Sequence, residues 1–369
     1  SVSVKLVVER ERDIQAFKIT PFFKVEAHFL AKNTQGKLVS FKAEAPQRFD
    51  NPAGAEDFLK KCVNANYKVD NIEVKPTRRK PAPPFTTSTL QQDAARVLNF
   101  SGKKTMMLAQ NLYEGMDIGG ETVGLITYMR TDSVRIADEA VENAREVIKK
   151  EYGSKYLNSE IRTYKNKSES QDAHEAIRPT YPWRTPESLK QYLSKDQFEM
   201  YQLIWQRFIS TQMIPLALSS VQIEVNCGKA LFKTSGSVII EAGFYKVYPH
   251  INLSLGENIH PDYAEKDKLE MKKPFGKQHF TKAPSAYTEA QLIKELESLG
   301  IGRPSTYASI TNTIIERTYV KIIEKRFYPT QLGILVNRFL VHYFDSLFNV
   351  KFTAEMEDKL DQVEFGKQI

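Results

Sequence analysis

The sequence is poor in several things that would have named a chemistry outright. It has 369 residues but only two cysteines, Cys62 and Cys227. They stand far apart and neither has a Cys-x-x-Cys neighbour, so no disulfide framework and no zinc knuckle is encoded. A reducing, cytosolic setting is the expectation that follows for location. No apolar run approaches the roughly 18 residues of a membrane span. No G-x-x-x-x-G-K-[ST] loop occurs, so nucleotide hydrolysis is not signalled, and no G-x-S-x-G elbow points to a serine hydrolase. No carboxylate cluster has the spacing of a two-metal site, and neither internal repeats nor low-complexity tracts are present.

What is present is an ordinary globular composition. Hydrophobic residues make up 41%, enough for a substantial core, and the length suits two or three domains. Lys and Arg number 52 against 45 Asp and Glu, a net charge of +7. That excess permits a polyanionic partner without requiring one. The chain opens inside a helical pattern without a start methionine and stops inside a charged helical pattern, which points to a piece of a longer protein.

Periodicity changes four times along the chain. Residues 1–20 read as an amphipathic helix, with Val4, Leu6, Val7, Val8, Ile14 and Phe17 apolar. From Pro21 the pattern alternates, with Phe23, Val25, Ala27 and Phe29 against Lys24, Glu26 and His28. A return strand follows at Leu38–Phe41, and residues 70–76 resume strand character. The proline-rich, basic stretch "KPTRRKPAPPF" reads as a stiff connector. Ser88 with Gln91 is expected to cap a helix, and the chain is then mostly helical to about 214, with helices over 134–150 and 195–212. Strand signal returns after Pro215, and helices resume at a second capping box, Thr288 with Gln291. A nested α+β arrangement accounts for this order. Residues 1–21 and 285–369 form an outer helical domain, 22–87 and 215–284 a β-strand arch, and 88–214 an inserted helical domain.

Three stretches can carry chemistry. In "GLITYMRTDS", Tyr128 lies two residues before Arg130. A tyrosine hydroxyl ordinarily titrates near 10, so attack at neutral pH needs nearby positive charge, which also stabilises a phosphorane-like transition state. Arg130 offers a fixed charged fork suited to phosphate, and Asp132 or Ser133 can cap a helix starting near 134. A strand-end ring beside a surface arginine is the plainer alternative. In "SESQDAHEAIRPT", His174 can carry a proton or bind phosphate, with Asp172 and Glu175 able to hold its tautomer; a solvated loop is the alternative. In "LGIGRPSTYASI", two glycines allow a tight turn, and Pro304 and Ser305 open a helix. Its first N–H groups, with Arg303, Ser305 and Thr306, make a phosphate cradle. An ordinary turn between packed helices is the alternative there.

Taken together and in order, "LVVERERDI", "PFTTSTLQQDA", "GLITYMRTDS", "QDAHEAIRPT", "GIGRPSTYASI" and "FTAEMEDKLDQV" resemble the bacterial DNA topoisomerase I family of type IA. The likeness runs over nearly the whole chain. It implies a ring in which a β arch carries the tyrosine-bearing domain over a DNA-sized hole. It implies cleavage and resealing of one strand through a 5′-phosphotyrosyl link, relaxing negative supercoils without ATP. Tyr128 then matches the nucleophile, and Arg130 matches the arginine beside the scissile phosphate. His174 matches a phosphate-binding histidine, while Arg303, Thr306 and Ser305 match residues that hold DNA. The expected partners are single-stranded and negatively supercoiled DNA, bound by a monomer, with no membrane. The family's Mg2+ site lies in an N-terminal Toprim domain, and zinc ribbons are common at the C-terminal end. Nothing here matches either, so no metal ligand is expected in this chain and the fragment alone is expected not to relax plasmids. The stretch "GMDIGGE" at 115–121 is extra and is expected to form a surface loop. The alternative function is a single-stranded DNA clamp. A tyrosine recombinase fits less well, because segments 21–75 and 215–247 are rich in strands.

Overall fold

A computed structural model describes residues 2–32, 38–166, 174–253, 268–364 and 366. The elements in chain order are α1 (Val2–Ala16), β1 (Pro21–Lys32), β2 (Leu38–Glu44), α2 (Pro52–Cys62) and β3 (Tyr67–Arg79). Then come α3 (Thr87–Asp93), which runs into a π-helical turn at Ala94–Leu98, α4 (Gly102–Glu114), the short pair β4 (Met116–Asp117) and β5 (Thr122–Val123), α5 (Asp138–Tyr152), α6 (Pro186–Leu189) and α7 (Lys195–Ser210). The remainder is β6 (Leu216–Asn226), β7 (Leu231–Glu241), β8 (Lys268–Phe280), α8 (Glu289–Ser298), α9 (Tyr307–Glu316), β9 (Val320–Ile323), β10 (Arg326–Pro329), α10 (Gln331–Tyr343) and α11 (Val350–Glu364).

The six long strands close into an antiparallel barrel in the order β1-β2-β7-β6-β3-β8. Closure removes the free edges that an open sheet of these strands would leave. Alternation places Val25, Ala27 and Phe29 of β1 inside, facing Phe41 and Ala43 of β2, Ile223 and Val225 of β6, and Phe232 of β7. The helix α2 was not legible in the sequence. Asn51 caps it by accepting the Gly54 N–H at 2.9 Å, and Pro52 starts it. Its Phe58 and Cys62 add to the barrel core, and Cys227 packs against the same core.

Two strand ribbons lead out of the barrel. β3 with β6 pairs as far as Arg79 and Leu216, and Leu216 and Leu218 already belong to a second, helical core. That core is built on Leu112, Leu125, Ile126, Met200, Ile204 and Phe208. β1 with β8 pairs as far as Pro21 and Phe280, next to a third core made by α1, α8, α9 and the β9–β10 hairpin. Here Val4, Val7 and Val8 meet Leu292, Ile293, Leu296 and Phe327.

Several local expectations change. The cap of α3 is Thr86 with Thr89, not Ser88 with Gln91; Ser88 and Gln91 lie inside the helix and are buried. The helix after the tyrosine starts at Asp138 and not near 134; residues 134–137 lie outside any helix or strand, and Ala137 is extended. Its cap, Ala137, has no side-chain bond, so neither Asp132 nor Ser133 caps it. Residues 304–306 form a turn, and α9 begins only at Tyr307. Residues 116–123 form the β4–β5 hairpin, in which Asp117 Oδ1 accepts the N–H groups of Gly119 and Gly120. The capping box Thr288–Gln291 is present, and Gly300 follows α8 in the left-handed region (φ 71°).

Candidate nucleic-acid site

The tyrosine is carried on a short extended segment that the helical core fixes on both sides. Leu125 N–H donates to Leu112 O at 2.7 Å, and Leu125 and Ile126 are buried. Gly124 is required here: a Cβ at this position would stand 2.7 Å from the carbonyl oxygen of Tyr113. On the other flank, residues 176–180 run antiparallel to it. Thr127 N–H donates to Arg178 O (2.9 Å), Thr127 Oγ1 to Ala176 O (2.7 Å) and Thr180 N–H to Leu125 O (3.0 Å). This pairing brings the histidine stretch to the tyrosine stretch, although about fifty residues separate them.

The residues after Tyr128 are tied down from behind. Met129 and Thr131 are buried, and Thr87 serves both. Thr87 Oγ1 donates to Met129 O at 2.7 Å and accepts the Thr131 N–H at 2.9 Å, while Thr87 N–H donates to Thr131 O. Anchoring Met129 inward turns its neighbours outward. Tyr128 is 38% exposed and Arg130 is exposed. The ring is flanked by Tyr113 (centroids 5.3 Å apart, edge-on) and His174 (5.9 Å, tilted).

Glu175 does not hold His174. Its Oε2 accepts from Arg178 Nε at 2.7 Å and from the Ala137 N–H at 3.3 Å. Burial works against the Glu175 charge, but the Arg178 guanidinium more than offsets it and lowers the carboxyl below its ordinary range. Asp172 lies outside the described residues.

The outer helical core meets the tyrosine-bearing one beside this segment. A cleft of about 250 Å³ runs between them, with Lys103, Met106 and Arg130 on one wall and Ser305, Ser309 and Asn312 on the other. Arg130 and Ser305 are therefore brought together. Arg303 and Thr306 do not line this cleft. Arg303 grips both oxygens of Asp361 (2.7–3.1 Å) and reaches Asp358, and it donates to the carbonyls of Gly300 and Gly302. Burial opposes its charge, but the carboxylates of Asp361 and Glu357 keep its guanidinium above its ordinary pKa. Thr306 Oγ1 accepts the Arg303 N–H at 2.8 Å and donates back to its carbonyl. Both residues shape the turn that presents Ser305. Asp132 feels charges from both parts. Enclosure by protein raises its carboxyl above the usual range, with Asp361 adding to the effect and the charges of Arg303 and His174 opposing it.

The interface between the two helical cores is polar. Ser88 Oγ donates to Glu297 Oε2 (2.7 Å), Lys325 Nζ to Asn99 Oδ1 (2.6 Å), and Lys103 pairs with Glu316 (3.4 Å). At Gly102 the helices approach closely: an added Cβ would lie 2.9 Å from Glu289 Oε1. Lys103, Tyr113 and Thr87 escaped sequence reasoning. They lie outside the tyrosine motif, on α3 and α4, and no local spacing ties them to it.

An exposed tyrosine on a segment fixed by hydrogen bonds, beside an arginine that lines a cleft between two helical cores, defines a site suited to a polyanion and joined to a potential nucleophile. Comparison with known proteins agrees. A family model described as DNA topoisomerase matches residues 1–369. The DNA topoisomerase 1 of Rickettsia felis is 44% identical over 380 residues, covering 100% of this chain and 49% of that protein. That of Rickettsia bellii is 44% identical and is covered over 47% of its length. The full-length topoisomerase I of Thermotoga maritima, in a monoclinic crystal form, superposes with a TM-score of 0.84 at 34% identity, over 100% of this chain and 59% of that one. The chain belongs to the type IA DNA topoisomerase family. It spans about half the length of the curated relatives it matches. No described helix is long and apolar enough to cross a membrane.

Proposed function

We propose that this chain is the strand-cleaving and strand-holding part of a type IA topoisomerase that relaxes negatively supercoiled DNA. The phenolic oxygen of Tyr128 attacks a backbone phosphorus. The phenol gives up its proton as a tyrosine–phosphorus ester forms at the 5′ side, the bond to the 3′ oxygen breaks, and that oxygen takes up a proton and leaves as a hydroxyl, so the proton count is unchanged. One phosphoester replaces another, so the link can be reversed by the 3′ hydroxyl, and ATP is not needed. Arg130 steadies charge on the phosphate in flight. His174, against the Tyr128 ring, donates to a neighbouring phosphate. Ser305 binds the strand from the facing wall, and Arg303 and Thr306 act by holding the turn that carries Ser305.

The observation that carries this reading is the placement of Tyr128: an exposed phenol on a segment anchored by the buried Leu125, Ile126 and Met129, next to Arg130 and the cleft between the helical cores. The three cores support the division at 1–21 with 285–369, 22–87 with 215–284, and 88–214. Rupture of the polar interface between the helical cores is the natural gate for passing a strand. Mg2+ belongs, in this reading, to the part of the protein outside this chain. Among the described residues no group of three or more His, Cys, Asp or Glu could hold a metal, and no step above runs through one.

The test joins this chain to the N-terminal part of a relative such as the Rickettsia felis protein and offers it single-stranded DNA. The joined protein is expected to form a covalent adduct at the 5′ end of the break, and Tyr128→Phe to form none. An adduct persisting in Tyr128→Phe refutes the assignment. Salt-sensitive binding without any adduct in the unsubstituted protein favours a single-stranded DNA clamp instead.

A further inference from the structure

The loop after the histidine stretch exposes two large rings that the mechanism above does not use. Tyr181 is 40% and Trp183 is 54% exposed, and their centroids lie 5.2 Å apart. Exposed rings of this size are costly to leave in water without a partner. They do not belong to a loose loop. Trp205 Nε1 donates to Pro182 O and Tyr201 Oη to Arg184 O, both at 2.7 Å, from buried side chains of α7. Pro182 and Pro186 are buried, and Arg184 N–H closes the turn onto Tyr181 O at 3.0 Å. The backbone is thus clamped while the rings point out. Arg184 lies over the Tyr181 ring, 4.9 Å from its centroid, and one of its terminal nitrogens has no hydrogen-bond partner.

The position of this loop relative to Tyr128 follows from strand pairing. The segment 176–180 runs antiparallel to 124–127, so His174 sits by Tyr128 and Thr180 by Gly124, whose carbonyl accepts Thr180 Oγ1 at 2.6 Å. Moving from Tyr128 to Gly124 covers about 13 Å at strand rise. The direction is away from the cleft: Arg130 lies by Lys103 and Met106 near the start of α4, where that helix meets α9, while Gly124 lies by Tyr113 at its end. The rings therefore stand a few nucleotides beyond Tyr128, on the side opposite the cleft with Ser305.

We infer that Tyr181 and Trp183, backed by Arg184, form a stacking platform for unpaired bases of single-stranded DNA, holding the part of the strand that runs past Tyr128 away from the outer helical core. This rests on the proposed function for the nature of the strand. It adds a second anchor on the tyrosine-bearing body itself, so that a cut strand remains held when the two helical cores separate. Base–aromatic stacking is sequence-tolerant, as that task requires.

The chain carries its own reporter, since Trp183 is exposed and the second of its two tryptophans, Trp205, is buried. The chain is titrated at low ionic strength with a fluorescently labelled 12-nucleotide oligothymidylate and with an abasic oligonucleotide of equal length and charge. Thymidylate is expected to quench the Trp183 emission and the abasic strand to leave it unchanged. In Tyr181→Ala/Trp183→Ala, followed by anisotropy of the label, thymidylate affinity is expected to fall about tenfold or more. Abasic binding should stay as it was, and Trp183→Phe should retain most of the affinity. Both rings are exposed, and an unchanged melting curve checks that the double variant folds. The platform is refuted if the double variant binds thymidylate as the unsubstituted chain does, or if Trp183 emission ignores bound thymidylate while Arg130→Ala weakens both strands. If neither strand binds the unsubstituted chain, the DNA-holding reading itself fails and the platform with it.

Discussion

Thr87 offers the sharpest test of how the tyrosine segment is held. Its hydroxyl is fully buried and serves two backbone groups, donating to Met129 O at 2.7 Å and accepting the Thr131 N–H at 2.9 Å. Thr87→Val keeps nearly the same shape but strands both groups away from water. Each stranded group costs roughly 1–3 kcal/mol, so the expected loss for the two is about 2–6 kcal/mol. Thr87→Ser keeps the hydroxyl and removes one methyl group, a loss of about 1 kcal/mol. Urea unfolding followed by the emission of Trp205, which belongs to the same core, measures the difference. The valine variant should unfold at clearly lower urea than the serine variant. It should also bind oligothymidylate more weakly, because Arg130 sits between the two residues that Thr87 anchors. A valine variant as stable as the serine variant would mean that Thr87 does not organise the segment.

Three further outcomes follow from the same geometry. Gly124→Ala puts a methyl group 2.7 Å from a backbone carbonyl that cannot swing aside, so about 1–3 kcal/mol should be lost, with faster hydrogen exchange at the Leu125 amide, which is bonded to Leu112 O. Glu175 has a folded pKa below its ordinary 4.5 because Arg178 outweighs the effect of burial. Its stabilisation is therefore complete above that ordinary value and fades as pH falls through the lowered one; the melting temperatures of the unsubstituted chain and Glu175→Gln should differ at pH 6 and converge in acid. A gap that widens in acid would reverse the sign. Asp361→Asn breaks the Arg303 pair, which is partly open to solvent, so the stability loss should be only about 1 kcal/mol, while oligonucleotide affinity falls as the turn carrying Ser305 loosens. No change in either quantity would show that the pair does not support the turn.

Much of this was readable from residue order. Alternation in Val25, Ala27 and Phe29 announces a strand with one buried face, because side chains on a strand point to opposite sides in turn. The Thr288–Gln291 box and Gly300 mark a helix by local bonding alone. Elsewhere, neighbours distant in sequence decided. Ser88 looked like a cap, yet Thr86 takes that role because the preceding chain is drawn to Thr131 and Ile177. The stretch 134–137 has helical periodicity, yet stays outside the helix where Arg135 O accepts the Ala176 N–H and Asn166 holds Val134. Barrel closure and α2 were likewise invisible, since a strand's second neighbour leaves no trace in its own pattern.

The same division runs through the site. The sequence by itself determined the motif residues: a tyrosine two positions from an arginine, a histidine among acids, and a glycine-bounded turn before α9. Only the tertiary structure decided which of them share a surface. It set His174 against the Tyr128 ring through strand pairing, aimed Arg130 and Ser305 into one cleft, and committed Arg303 to Asp361. The physical reason is that residue types and short-range spacing lie in the chain. Burial, and with it the direction a side chain must face, depends on partners that only the packed core supplies.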